Sequence, residues 1–300
     1  MSISAKPAGV SRAVIYAWLV VGVASVSLGP ITIKLADAEP LSVASLRMLF
    51  GTVLVALPTV LKARGELGAL SRQDVGVLSI SGLFLAGHFA FWVTSLDMTS
   101  VASSVLLVTT TPVFVAIASR IWLREHVGKL TIAAIFLSMV GGAMLSFGDW
   151  DGDGRRLLGD MLALLGAVSI GGYMLVGRGV RHRISNLPYV TVVYAVAAVV
   201  LLLGAAVSGQ SLLGLSDDAY FWIFMSALVP QAIGHSLLNW SLAHVSATNV
   251  TLAVRAEPVV ATLLAIPVLG EAPAWTVVLG GALVMLGVYL AIRANSAQEA

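Results

Sequence analysis

Ten apolar runs follow one another along the chain with little between them, and few folds are open to such a polypeptide. They fall at about 14–35, 41–61, 75–96, 100–122, 130–148, 157–178, 188–208, 218–243, 246–269 and 274–292. Most approach the roughly 20 residues that a helix needs to cross the hydrocarbon core of a bilayer. In that core each backbone N–H and C=O must find its partner within the protein, so only helices and closed barrels can span it. The runs are continuously apolar and do not alternate, which excludes a barrel. Charged residues are 11% of the 300 and hydrophobic ones 58%, with a mean hydropathy of +0.96. Soluble domains carry about 25% charged residues. The expected class is therefore an all-α integral membrane protein, multi-pass, with the lipid bilayer as its main partner.

Several function classes fall away at this stage. The chain has no cysteine, so disulfides, thiolate catalysis and cysteine-held metal centres are excluded. Neither H-E-x-x-H nor G-x-S-x-G occurs, and the nearest Walker-like stretch, 126–130, lacks the upstream glycine and the hydroxyl residue after its lysine. No enzyme activity, cofactor or metal is expected. Basic residues lie in short loops, not on one face, so nucleic acid is not a partner. Lys6 and Arg12 ahead of 14–28 resemble the start of a signal peptide. With so many apolar runs following, the stretch is read as a retained first transmembrane helix.

Lysine and arginine set the orientation, because they accumulate on the cytoplasmic side. With the N-terminus inside, that side holds Lys6, Arg12, Lys62, Arg64, Arg72, Arg120, Arg124, Lys129, Arg178, Arg181, Arg183 and Arg293. The outer side holds only Lys34, Arg155 and Arg156, while Arg47 and Arg255 fall within the membrane. Acids gather outside instead: Asp37, Glu39, Asp97, Asp149, Asp151, Asp153, Asp217 and Asp218. An even number of spans places both termini in the cytoplasm.

A repeat lies within this pattern. Pro112, Glu125 and Gly141 recur 146 positions later as Pro258, Glu271 and Gly287 with no gap. Sliding 88–147 by that offset gives 12 identities in 60 positions, and the fixed spacings favour duplication. A unit of five spans is odd, so its second copy enters the membrane upside down. Two inverted five-helix repeats, 1–148 and 157–300, joined by a linker at 149–156, are therefore expected. Inverted repeats mark secondary transporters, whose substrate site lies between the halves near the midplane. The linker reads D-W-D-G-D-G-R-R; its acidic spacing lacks the glutamate that completes a calcium loop, and it is read as solvated.

With this frame and topology the chain resembles the drug/metabolite transporter superfamily, in particular its ten-helix EamA-type exporters. It is similar to bacterial exporters of aromatic or hydrophobic amino acids. The resemblance covers nearly the whole chain. It implies a carrier in the cytoplasmic (inner) membrane of a bacterial-type cell, moving small metabolites through a central cavity lined by helices 1, 3, 4, 6, 8 and 9.

Polar residues at membrane depth are costly and tend to be functional. In the third run His88, Phe91, Trp92 and Ser95 share one helical face, and in the eighth Gln231, His235 and Asn239 do so. Tyr173 adds an aromatic in the sixth. Ring faces beside a few donors and acceptors suit an amphiphilic metabolite. Each histidine has a second reading, as an interhelical hydrogen-bond partner, and Asn239 as packing glue. Arg255 and Glu257 lie about 200° apart around a helix, with Pro258 following. Arg255 can face the cavity as a carboxylate clamp, or either charge can pair with another helix, Arg47 being a candidate for Glu257. The first repeat has Thr109, Thr110 and Thr111 at these places, so the charges belong to one half alone. Pro112, Glu125, Pro258 and Glu271 are assigned to structure and gating, the two glutamates as latch or loop-capping carboxylates. Gly141, Gly142, Gly280, Gly281 and Gly287 are assigned to close packing of helices 5 and 10.

The expected function is export of a small amphiphile, an aromatic or hydrophobic amino acid, by alternating access. The alternatives are export of other metabolites or drugs, an intramembrane enzyme, or a non-transporting scaffold. The oligomeric state is left open, a monomer being compatible.

Overall fold

The computed structural model describes residues 11–122, 129–148, 154–180, 183–242, 253–254 and 256–299. Among the described residues the secondary structure is entirely helical. Five helices are long and apolar enough to cross a membrane: Ala13–Leu35, Pro40–Lys62, Arg72–Met98, Gly154–Gly177 and Asn186–Val207. Shorter apolar helices cover Val101–Val115, Ile132–Leu145, Glu257–Leu269 and Trp275–Leu290. Many large apolar side chains point outward, among them Val20, Leu57, Leu61, Phe136, Met139 and Leu203. An aqueous surface would not tolerate that display; a lipid-facing one requires it. Tyr16, Trp18, Trp275 and Tyr289 are also exposed, as interfacial anchors are.

Among the described residues, four of the ten runs are not one continuous helix. The first is Arg12–Ser27 followed by Gly29–Leu35, with Pro30 just past the join. The fourth divides into Val101–Val108 and Thr111–Trp122. Proline 112 has no N–H to give Val108, and the Thr111 hydroxyl donates to that carbonyl instead, at 2.8 Å. Thr109 and Thr110 likewise donate to Leu106 and Leu107. The eighth run is Asp217–Ser226, a π-helical stretch Ala227–Gly234 around Pro230, then His235–Leu242. The ninth restarts at Glu257, with Pro258 at the second helical position, and runs to Leu269. Each break lies beside a proline, which removes one rung of the ladder.

The helices pack in a consistent scheme. Run 3 lies along run 6 and run 1 along run 8; run 2 packs on run 7, run 5 on run 10, and run 4 touches run 9. Runs 5 and 10 approach most closely at small residues. A Cβ on Gly141 would come within 2.6 Å of the Gly280 carbonyl oxygen, and one on Gly287 within 2.4 Å of Ser138 Oγ. Gly281 instead faces Leu106 of run 4. Run 3 starts on a capping box: Ser71 Oγ accepts from Asp74 N, and Asp74 accepts from Ser71 N. Arg183, just before run 7, forms an ion pair with the same Asp74. That pair ties the start of run 3 to the segment that leads into run 7.

Candidate functional site

Among the described residues one lysine or arginine is buried. Arg47, seven residues into the Pro40–Lys62 helix, is 3% exposed. Its Nε donates to Gln231 Oε1 at 3.3 Å. Its guanidinium carbon lies 5.0 Å from the Phe89 ring centre and 5.7 Å from that of Trp92. These ring faces offset part of the cost of burying the charge. Arg47 Nη1, Trp92 Nε1 and Gln231 Nε2 are all buried without a hydrogen-bond partner among the described residues. Buried polar atoms are nearly always satisfied, so three together need an explanation.

The surrounding backbone makes room for this cluster. Gln231 sits in the π-helical stretch, which turns its side chain toward run 2. Its amide rests against Gly51, where a Cβ would lie 2.1 Å from Nε2. Gly29, at the break in run 1, lies against Pro230 and the far edge of Trp92. The discontinuities of runs 1 and 8 therefore meet at the aromatic wall of the site.

His88 forms the other side of that wall. Its ring stacks on Trp92, with centres 5.6 Å apart and planes 12° from parallel. Nδ1 donates to the Gly166 carbonyl of run 6 at 3.0 Å, which fixes the neutral tautomer with Nε2 as acceptor. This contact is an interhelical hydrogen bond, from run 3 to run 6. Ser95 lies one turn away with its hydroxyl engaged by Trp92 O and Ser104 Oγ. Tyr173 packs beside Tyr189, whose hydroxyl bonds Ser81, in a separate aromatic group.

Glu257 is half-buried at the start of its helix. No ion pair joins it to Arg47 within 4 Å. The pairing considered from sequence does not form: Arg47 turns to Gln231 and the rings instead. His235 is exposed and within electrostatic reach of Arg47 and His88. Pro258 is buried behind Glu257. Glu125 and Arg255 lie outside the described residues, as do residues 149–153 and the side chains of Pro112 and Asn239; of the linker expected at 149–156, residues 154–156 are the first turn of the Gly154–Val180 helix.

A second polar centre lies at the other end of run 9. Gly270, at φ +70°, ends the helix, and Glu271 N returns to the Ala265 carbonyl. This left-handed turn aims the Glu271 carboxylate at two partners. Oε1 forms an ion pair with Lys34 of run 1. Oε2 accepts from Val101 N, the first turn of run 4, at 2.8 Å. Lys34 Nζ also donates to the Thr99 carbonyl at 3.3 Å. One carboxylate thus joins three runs.

Residues 13–147 match the EamA-like transporter family, and residues 157–293 match it again. The chain belongs to the EamA-like transporter family. It is a multi-pass membrane transporter. Among relatives, it is 25% identical over 272 residues to the uncharacterized transporter YdfC of Bacillus subtilis, covering 90% of this chain and 87% of that one. An uncharacterized transporter of Archaeoglobus fulgidus is 24% identical over 255 residues, covering 85% and 87%. A solved structure described as "Crystal structure of protein" superposes with a TM-score of 0.64 at 18% identity, covering 97% of this chain and all of that one. At that identity the likeness is one of fold. Within this transporter, sequence reasoning passed over Arg47 as a site residue. The available signal was a charge inside an apolar run; the direction in which it points was not legible.

Proposed function

We propose that the protein is a secondary transporter that exports small amphiphilic metabolites, foremost aromatic or hydrophobic amino acids, by alternating access. In this reading it sits in the cytoplasmic (inner) membrane of a bacterial-type cell. It has ten spans in two inverted five-helix repeats and both termini in the cytoplasm. The observation that carries it is the meeting of two helix breaks, in runs 1 and 8, at a buried cluster of rings and hydrogen-bonding groups. Broken helices are tolerated at membrane depth where protein or a cavity buries them, and transporters place their sites there. Phe89, Trp92 and His88 offer flat apolar surface; Arg47 and Gln231 offer polar anchors. The paired packing of runs 3 on 6 and 1 on 8, together with the two family matches, supports the repeat.

With the N-terminus inside, Lys34 and Glu271 lie at the outer mouth. Their tie to run 4 then holds that side shut, so opening to the outside requires it to break. The test is a counterflow screen in proteoliposomes. Vesicles preloaded with leucine or phenylalanine should accumulate the labelled amino acid transiently. Accumulation of other metabolites but of no amino acid would refute the substrate class and leave the carrier standing.

A further inference from the structure

We infer that Arg47, with Gln231 and Trp92, is the receptor for a carboxylate on the transported molecule. The inference rests on the transporter reading above and names the chemistry of its site. The unsatisfied atoms of the cluster are Nη1 of a guanidinium, an indole Nε1 and an amide Nε2. All three are donors. The orientation of the amide is fixed, because Oε1 must face the donating Arg47 Nε. A ligand completing this set must bring acceptors and no competing protons. A carboxylate does that, with two oxygens and about four lone-pair directions.

The charge balance points the same way. A buried arginine usually has a carboxylate partner, since an isolated one is heavily penalised. Arg47 is 3% exposed, and no carboxylate lies within 4 Å of it among the described residues. Elsewhere the chain pairs its charges readily, as Lys34 with Glu271 and Arg183 with Asp74 show. The ring faces of Phe89 and Trp92 already border the guanidinium, so a ligand carboxylate there would sit beside apolar surface that an amphiphile's side chain can use. A guanidinium–carboxylate pair formed away from water is also among the stronger hydrogen-bonded contacts available.

The experiment compares ligands on the whole protein, then variants. Purified transporter in detergent is melted with phenylalanine, with 3-phenylpropionate, and with phenylalaninamide, and the same compounds are tested as counterflow competitors. Both carboxylates should raise the melting temperature and compete; the amide should do neither at tenfold higher concentration. Gln231→Glu should abolish competition by both carboxylates while melting no lower than wild type, because its own carboxylate neutralises Arg47. Arg47→Met should weaken it by roughly tenfold or more. If phenylalaninamide binds as well as phenylalanine, the carboxylate receptor is wrong and the amino-acid carrier stands. If 3-phenylpropionate binds while no amino acid moves, the receptor stands and the amino-acid reading falls. If Gln231→Glu competes normally, Arg47 is structural and the inference is overturned.

Discussion

At the outer mouth Glu271 gives one oxygen to Lys34 and the other to Val101 N, while Lys34 also reaches the Thr99 carbonyl. In the interior Arg47 has one hydrogen bond to a neutral amide, two ring faces, and a buried Nη1 with nothing to bind. The first charge set is saturated and about a quarter exposed; the second is unsaturated and almost wholly buried. Water screens the mouth, so a pair there is cheap to keep and cheap to break. The centre has no such screening, and its unmet demand is large. A gate needs the first property and a binding site the second.

Predictions that set these regions against each other begin at the centre. Arg47→Met should lower carboxylate affinity by about 12- to 150-fold, the span for losing hydrogen bonds between charged groups, read from competition in counterflow. Gly51→Ala comes next: its methyl would displace the Gln231 amide, so affinity should fall several-fold while the fold persists, as circular dichroism would show. Trp92→Phe keeps a ring and removes only Nε1–H, for a loss of about two- to tenfold. At the mouth, Glu271→Gln keeps an acceptor for Val101 N but loses the ion pair. The balance of facing states should then shift roughly fivefold, about 1 kcal/mol for a part-exposed pair. Since the chain has no cysteine, Ala36→Cys, at a buried position beside the tie, can report this shift by labelling with a membrane-impermeant maleimide. Labelling should rise in the Glu271→Gln background while substrate affinity changes little.

The helical class was legible because the bilayer leaves a continuous apolar run almost no other structure. A break beside Pro258 was legible too, since proline removes a backbone donor wherever it sits. The π-helical stretch around Pro230 was not, because the same residues satisfy an α-helical pattern equally well. Depth along a helix can be counted from its ends. Rotation about the helix cannot be counted that way. Arg47 and Glu257 therefore looked like partners, and only tertiary packing turned the guanidinium onto Phe89 and Gln231 instead. Glu271 was recognisable as a carboxylate at a helix end by Gly270 before it. Its partner Lys34 lies 237 residues away, and no local pattern announces such a contact.

The contrast between a saturated mouth and an unsaturated centre is tested most directly by ligand-free melting temperatures of Arg47→Met and Lys34→Met beside wild type. Removing Arg47 relieves a buried, half-satisfied cation and fills its volume with a side chain suited to aromatic neighbours. Removing Lys34 leaves the Glu271 carboxylate with a single donor. Arg47→Met should melt at or above the wild-type temperature, and Lys34→Met below it. An Arg47→Met protein that melts as low as Lys34→Met or lower would mean that the buried arginine holds the fold together, and would contradict its role as a site awaiting a ligand.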